Sequence, residues 1–207
     1  MKHIAIFASG AGSNAQRIID HFAAPASPPV PLLTERGEMK SSKIVVSLIV
    51  CNNPRAGVLK IAAKENIPVL MVEKEKFFHG DTYIKELQEN QIDFIVLAGF
   101  LWRIPDTLIK AHPDRIINIH PALLPRHGGK GMYGNKVHEA VIAKGEKESG
   151  ITIHYVDGQY DNGDIIFQAK CPVLQGDTPD SLAERVHVLE YEHYPKVIER
   201  VVGQLVD

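Results

Sequence analysis

Short apolar runs recur along the first half of the chain, and each is separated from the next by a stretch with helical periodicity. This alternation constrains the fold more than any other feature, because a strand that is apolar on both faces must be covered on both faces. Strands are predicted over residues 4–8, 44–51, 68–72 and 94–98, and helices over residues 14–22, 58–64 and 83–90. The pattern therefore predicts an α/β fold with a doubly wound, mainly parallel, Rossmann-like sheet.

The second half of the chain has a different pattern. A strand is predicted at residues 115–120, a glycine-rich loop at residues 126–135 and a helix at residues 137–144. Residues 151–156 and 165–173 then alternate between apolar and polar side chains, which is typical of antiparallel strands. We therefore expect an antiparallel strand pair at the C-terminal side of the sheet.

A long helix is predicted at the C-terminal end. Thr178 suits its N-cap and Pro179 its first position, while Pro195 predicts a kink or a break within it. Residues 24–42 contain four prolines and are predicted to form a long surface loop. Neither flank of that loop is long enough to fold alone, so one domain over residues 1–207 is predicted.

Composition narrows the classes of function. The net charge of −2 argues against a nucleic-acid partner, which is bound through excess lysine and arginine. Two cysteines, Cys51 and Cys171, cannot build a disulfide framework, and each lies in an apolar run, so both are predicted to be core residues of a reduced, cytoplasmic protein. No stretch approaches the roughly 20 apolar residues of a membrane helix, so no membrane partner is predicted.

The segment FASGAGSN, residues 7–14, joins the first predicted strand to the first predicted helix. Backbone N–H groups and the Ser13 hydroxyl could hold an anion at the start of that helix. The spacing Gly10-x-Gly12-x-x-Ala15 fits a dinucleotide fingerprint, a cradle for a single phosphate, or a turn without a ligand. A dinucleotide site also needs an acidic residue after the second strand, but Cys51 is followed by two asparagines, which disfavours that interpretation.

Asn118 and His120 lie at the end of the fifth predicted strand. Side chains two apart on a strand point to the same side, so the amide and the imidazole project together. An amide can donate to a developing oxyanion, and a histidine can donate a proton to the same oxygen. The pair predicts a catalytic site, although a lone buried histidine is more often structural.

The segment DGQYDNGD, residues 157–164, is acidic and rich in turn-forming residues. It can be a simple hairpin turn, or it can supply a carboxylate that orients the histidine.

No metal site is predicted, since the 10 histidines are scattered and no HExxH or CxxC motif occurs. No G-x-S-x-G motif indicates a serine nucleophile either.

Four motifs together resemble a known family. They are SGAGSN at residues 9–14, LAGF at residues 97–100, INIHPALLP at residues 117–125 and DNGDII at residues 161–166. In this order they are similar to the phosphoribosylglycinamide formyltransferases, a branch of the superfamily that uses 10-formyltetrahydrofolate. The resemblance covers almost the whole chain.

The resemblance implies formyl transfer from 10-formyltetrahydrofolate, the co-substrate, to the amine of glycinamide ribonucleotide in purine biosynthesis. It implies that Asn118 and His120 stabilise the tetrahedral oxyanion, with His120 as general acid and Asp161 assisting. The residues implied to bind glycinamide ribonucleotide are Gly12, Ser13, Asn14, His187 and Glu190. Those implied to bind folate are Leu101, Trp102, Arg103, Ile104, Asn118, Asp157, Gly158, Gln159, Tyr160 and Asp161. Residues 1–100 would form the phosphate-binding half and residues 101–207 the folate-binding and catalytic half.

Some positions depart from the family pattern. Trp102 stands where arginine is frequent and could stack on a ring or pack in the core, and His187 stands where glutamine is found.

The alternative functions are those of a methionyl-tRNA formyltransferase, a formyltetrahydrofolate hydrolase that uses water, and a non-catalytic nucleotide-binding module. The first would need a further RNA-binding domain and the second a further N-terminal domain, and neither is expected here. The sequence does not decide the oligomeric state, and a homodimer is one possibility.

Overall fold

The computed structural model describes residues 1–23 and 43–205, and within these ranges the chain forms seven strands and seven helices. The strands are β1 Lys2–Ala8, β2 Ile44–Cys51, β3 Val69–Met71, β4 Phe94–Leu97, β5 Ile116–His120, β6 Glu148–Tyr155 and β7 Ile165–Pro172. The helices are α1 Ser13–Ala23, α2 Val58–Glu65, α3 Lys74–His79, α4 Thr82–Glu89, α5 Asp106–Ala111, α6 Asn135–Ala143 and α7 Pro179–Gly203. The loop predicted at residues 24–42 lies outside the described residues.

All the strands belong to one sheet with the order β3-β2-β1-β4-β5-β6-β7. Strands β1 to β5 pair in parallel, whereas β5 with β6 and β6 with β7 pair antiparallel. The predicted doubly wound, mainly parallel fold with an antiparallel C-terminal pair is therefore confirmed. Its parallel part places the carboxyl ends of β1, β4 and β5 side by side, where ligands bind in open α/β sheets.

Buried apolar side chains form two clusters, one on each face of the sheet, and β1 contributes to both. Ile4 and Ile6 are wholly buried in a cluster shared with α1 and α7, while Ala5 and Phe7 belong to a cluster shared with α4 and α5. Because successive side chains point to opposite faces, a strand covered on both faces must be apolar throughout. Cys51 and Cys171 are free and buried, as predicted.

The short helices α3 and α5 escaped prediction because each has six residues and buries only one side chain, which leaves no periodicity to detect. A kink or a break was predicted at Pro195; α7 is continuous from Pro179 to Gly203, so the break does not occur. Pro195 and its neighbours Tyr194, Val197 and Ile198 are buried, so their packing holds the helix despite the missing N–H. Among the described residues, no helix is long and apolar enough to cross a membrane.

Candidate active site

A cavity of about 670 Å³ opens at the carboxyl ends of β1, β4 and β5. The residues predicted for the site that line it are Gly12, Ser13, Asn14, Leu101, Trp102, Arg103, Ile104, Asn118, His120, Asp157, Gln159, Tyr160, Asp161, His187 and Glu190. Gly158, also predicted for the site, does not line it, and a Cβ at that position would lie 3.6 Å from Asp106 Oδ1. The loops after β1, β4, β5 and β6 and helix α7 thus converge on one cavity.

The glycine loop at one end of the cavity is held against its neighbours. Gly12 has a φ of +85°, and a Cβ there would lie 2.9 Å from Val58, so close packing against α2 requires glycine at this position. The Ser9 hydroxyl accepts a hydrogen bond from the Leu101 amide at 2.9 Å, which ties the loop to the end of β4. Helix α1 begins at Ser13 with no acidic residue in its first turn, so its N-terminal dipole favours an anion.

Glu190 connects α7 to this loop. Its Oε2 accepts a hydrogen bond of 2.8 Å from Asn14 Nδ2, although the two residues are 176 positions apart. Burial raises the pKa of the Glu190 carboxyl, and the Asn14 hydrogen bond and nearby His187 oppose that rise. A buried carboxyl group with a fixed orientation is therefore available beside the helix terminus, where it could bind hydroxyl groups.

Asn118 is oriented by a histidine that the sequence did not reveal. His154 Nδ1 lies 2.7 Å from the Tyr155 carbonyl oxygen, and its Nε2 lies 3.2 Å from Asn118 Nδ2. Because a carbonyl only accepts, Nδ1 carries the proton and Nε2 accepts from the Asn118 amide. Burial lowers the pKa of His154, which favours this neutral form. The antiparallel register places the two residues opposite each other, and no sequence motif encodes that register.

His120 is buried between a backbone carbonyl and a carboxylate. Its Nε2 lies 2.8 Å from the His127 carbonyl oxygen, and its Nδ1 lies 3.5 Å from Asp161 Oδ2. Asp161 Oδ2 also accepts a hydrogen bond of 2.8 Å from the Gly129 amide, and its Oδ1 lies 3.8 Å from His154 Nε2. The acidic turn therefore does supply a carboxylate beside the predicted histidine, and of its aspartates Asp161 is the one in contact.

The turn after β5, which carries Pro121 and Pro125, is fixed by the buried Thr152 hydroxyl. It donates to the Ala122 carbonyl oxygen at 2.6 Å and accepts from the Leu124 amide at 3.0 Å. Gln168 Nε2 contacts both the Thr152 hydroxyl and the Leu124 carbonyl oxygen. This network satisfies backbone groups of Ala122 and Leu124 in the turn, and it holds the chain as it leaves His120.

Aromatic and apolar side chains line the other end of the cavity. Trp102 faces the cavity and also packs on Phe77 and Phe78, with ring centroids 5.6 and 5.7 Å apart. Packing on other aromatic residues is therefore part of the surroundings of Trp102, and stacking on a ligand ring stays a prediction. Leu101 and Tyr160 are exposed large apolar residues at the same end, which suits a flat organic ring system.

His138 in α6 is a further buried histidine of the cavity wall that motif reading did not single out. It is 2% exposed, and burial lowers its pKa to about 4, with smaller effects from His187 and His120.

Among the described residues no group of three or more histidine, cysteine, aspartate or glutamate side chains that could hold a metal was found.

The buried His138 predicts a loss of stability in acid. The folded state keeps His138 neutral down to a pKa of about 4, whereas the unfolded chain takes up the proton near pH 6.5, so the free energy of unfolding falls as the pH drops between these values. The loss reaches ~3 kcal/mol at most. Urea unfolding of wild type and His138→Gln at pH 7 and pH 5 should show a weaker pH dependence in the variant. Equal pH dependence would contradict this assignment.

The amino-acid sequence of this chain is similar to those of known proteins. Residues 2–198 match the family described as formyl transferase. The chain is 39% identical over 202 residues to the chloroplastic phosphoribosylglycinamide formyltransferase of Arabidopsis thaliana, covering 95% of this chain but only 64% of the plant protein. It is 34% identical over 207 residues to phosphoribosylglycinamide formyltransferase of Bacillus subtilis (strain 168), covering 98% of this chain and 96% of that protein.

Solved structures agree with these sequence matches. The crystal structure of glycinamide ribonucleotide transformylase 1 from Geobacillus kaustophilus has a TM-score of 0.81 and 36% identity, and the match covers 98% of this chain and 100% of that chain. The similarity therefore extends over nearly the whole chain and includes its overall fold.

Proposed function

The chain belongs to the formyl transferase family, and from that membership and the cavity we propose that it transfers the formyl group of 10-formyltetrahydrofolate to the amine of glycinamide ribonucleotide. The products are formylglycinamide ribonucleotide and tetrahydrofolate, as a step of purine biosynthesis. The observation that carries the proposal is the placement of Asn118, His120 and Asp161 in one cavity, together with the N-terminus of α1 and an apolar wall. We expect the reaction to run in the cytoplasm and without a metal, nucleic-acid or membrane partner.

At the glycine-loop end, Gly12, Ser13 and Asn14 would hold the phosphate of glycinamide ribonucleotide. The N–H groups at the start of α1 and the Ser13 hydroxyl supply donors, and the helix dipole adds to the attraction. His187 lines the same end and can donate a further hydrogen bond. Glu190, held by Asn14, would accept from the ribose hydroxyls.

The folate would lie at the opposite end. Residues Leu101, Trp102, Arg103 and Ile104 provide apolar and aromatic surface, and residues 157–161 form a turn over it. Within that turn Asp157 accepts from the Gln159 amide and from Asn162 Nδ2, which fixes the backbone. This end suits the ring system of the co-substrate and brings its formyl group towards β5.

In the reaction, the amine nitrogen attacks the formyl carbon, and the carbonyl oxygen becomes an oxyanion. That intermediate collapses by breaking the bond to N10 of the folate, while the amine loses a proton and N10 gains one. Asn118 would donate to the oxyanion through its amide, whose orientation is fixed by His154. His120 Nε2 is committed to the His127 carbonyl, so Nδ1 is the nitrogen that can exchange a proton.

Asp161 would assist this proton exchange. Its carboxylate faces His120 Nδ1 at 3.5 Å, so it would accept a hydrogen bond from a proton on that nitrogen while the oxyanion exists. The Gly129 hydrogen bond keeps that carboxylate in place. Charge and orientation are thus set before the substrates meet, which is the usual source of electrostatic catalysis.

The test is a steady-state assay with purified protein, 10-formyltetrahydrofolate and glycinamide ribonucleotide. We expect formylglycinamide ribonucleotide only when both substrates are present, and a large rise in KM for an acceptor that lacks the phosphate. Formate released without the acceptor would indicate a hydrolase, and binding without turnover would indicate a non-catalytic module. Either result would contradict the proposal.

A further inference from the structure

Residues 127–129, here named the clamp loop, contact both halves of the His120–Asp161 pair through backbone atoms. The His127 carbonyl oxygen lies 2.8 Å from His120 Nε2, and the Gly129 amide donates to Asp161 Oδ2 at 2.8 Å. A Cβ on Gly128 would lie 3.2 Å from the Asp161 Cβ and 2.5 Å from a Leu124 methyl group, so the loop lies tightly against both. The position of the clamp loop therefore determines how His120 is oriented.

His127 holds this position in an unusual backbone conformation. Its φ is +57°, in the left-handed region that residues other than glycine seldom adopt. Its side chain is 5% exposed, and Nε2 lies 3.1 Å from Glu146 Oε1. Such a conformation persists only where surrounding contacts impose it, and the contact with Glu146 is the side-chain contact that fixes the imidazole.

Glu146 itself lies outside the cavity, in the turn between α6 and β6. Its other oxygen, Oε2, lies 2.7 Å from Arg126 Nη1, so one carboxylate binds two consecutive residues next to the catalytic strand. The hydrogen bond from His127 lowers the pKa of Glu146, with a smaller contribution from Arg126, so the carboxylate is charged at neutral pH.

We propose that Glu146 is a positioning residue for the reaction, and this inference rests on the function proposed above. By fixing the His127 side chain, Glu146 holds the His127 carbonyl on His120 Nε2. Because a carbonyl accepts only, a proton stays on Nε2, and Nδ1, which faces Asp161, is left as the nitrogen that gains and loses a proton. Loss of this contact frees the carbonyl and lets the proton distribute between both nitrogens.

The test compares Glu146→Ala and His127→Phe with wild type. The first removes the carboxylate, and the second keeps an aromatic ring but cannot pair with Glu146. In the substrate-free protein, ¹⁵N NMR of His120 should change from one tautomer, protonated at Nε2, to a mixture in both variants. We expect kcat to fall about tenfold with KM for glycinamide ribonucleotide unchanged, because the phosphate end is untouched.

Two further variants separate positioning from general structural damage. Glu146→Gln keeps an oxygen that accepts from His127, so it should restore the single tautomer and most of the activity. Glu148→Ala is the matched control, since Glu148 lies two residues away and pairs only with the exposed Lys170 at 3.0 Å in the described structure. A single His120 tautomer and a kcat equal to the control in Glu146→Ala and His127→Phe would overturn the proposal. The NMR result decides this even if wild type transfers no formyl group, which would overturn only the proposed function.

Discussion

Replacing His120 with alanine is expected to lower kcat for formyl transfer by about a thousandfold, which lies within the usual range for losing a general acid or an oxyanion donor. The side chain is 3% exposed, and its two nitrogens face the His127 carbonyl oxygen and the Asp161 carboxylate, so alanine removes the imidazole from the centre of the proposed site. The phosphate end of the cavity does not contact His120. The Kd for glycinamide ribonucleotide should therefore stay close to the wild-type value.

The control for this experiment is His112→Gln. His112 is also a buried histidine, 6% exposed, but it lies after α5 and its Nδ1 contacts the Leu108 carbonyl oxygen rather than the cavity. Activity close to wild type in this variant would show that the loss is specific to His120. If His120→Ala kept kcat within tenfold of wild type, the proposed role of His120 would be wrong.

The second large effect is expected for Asp161→Asn, which should lower kcat by about a hundredfold. The amide has the same shape, and its oxygen can still accept from the Gly129 amide, so the clamp loop should remain in place. What disappears is the negative charge facing His120 Nδ1. A proton on His120 Nδ1 then lacks the carboxylate that would accept its hydrogen bond while the oxyanion exists.

Asp164→Asn is the matched control, because Asp164 is an exposed aspartate close to Asp161 that does not line the cavity. Both variants should bind glycinamide ribonucleotide like wild type, as measured by calorimetry. Equal turnover in the Asp161 and Asp164 variants would show that the carboxylate has no part in proton transfer.

Most of the sheet could be predicted because its signal is local. Residues 4–8 are apolar throughout and residues 44–51 are apolar except for Ser47, and such a run is enough to predict a strand buried on both faces. The glycine loop was also visible, since Gly12 lies between a strand and a helix. The prediction that the loop does not bind a dinucleotide depended on a residue far along the chain, since no acidic residue follows Cys51.

The groups that orient the predicted site were invisible to sequence reasoning for physical reasons. His154 meets Asn118 only through the antiparallel register of β5 and β6, which depends on tertiary packing. The clamp loop acts through a carbonyl oxygen and an amide N–H, groups that nearly every residue has and that leave no trace in residue identity. Glu146 reads as an ordinary charged turn residue until its contact with His127 is known.

The central claim is that a formyl group moves directly from folate to the amine beside His120. It is tested most directly by a single-turnover experiment with 10-formyltetrahydrofolate carrying ¹³C in the formyl group, followed by ¹³C NMR. With wild type and glycinamide ribonucleotide, we predict that the label appears on the amine of the acceptor, and that with His120→Ala it stays on the folate. Label that appeared as formate, or that reached the acceptor equally fast with His120→Ala, would contradict the account.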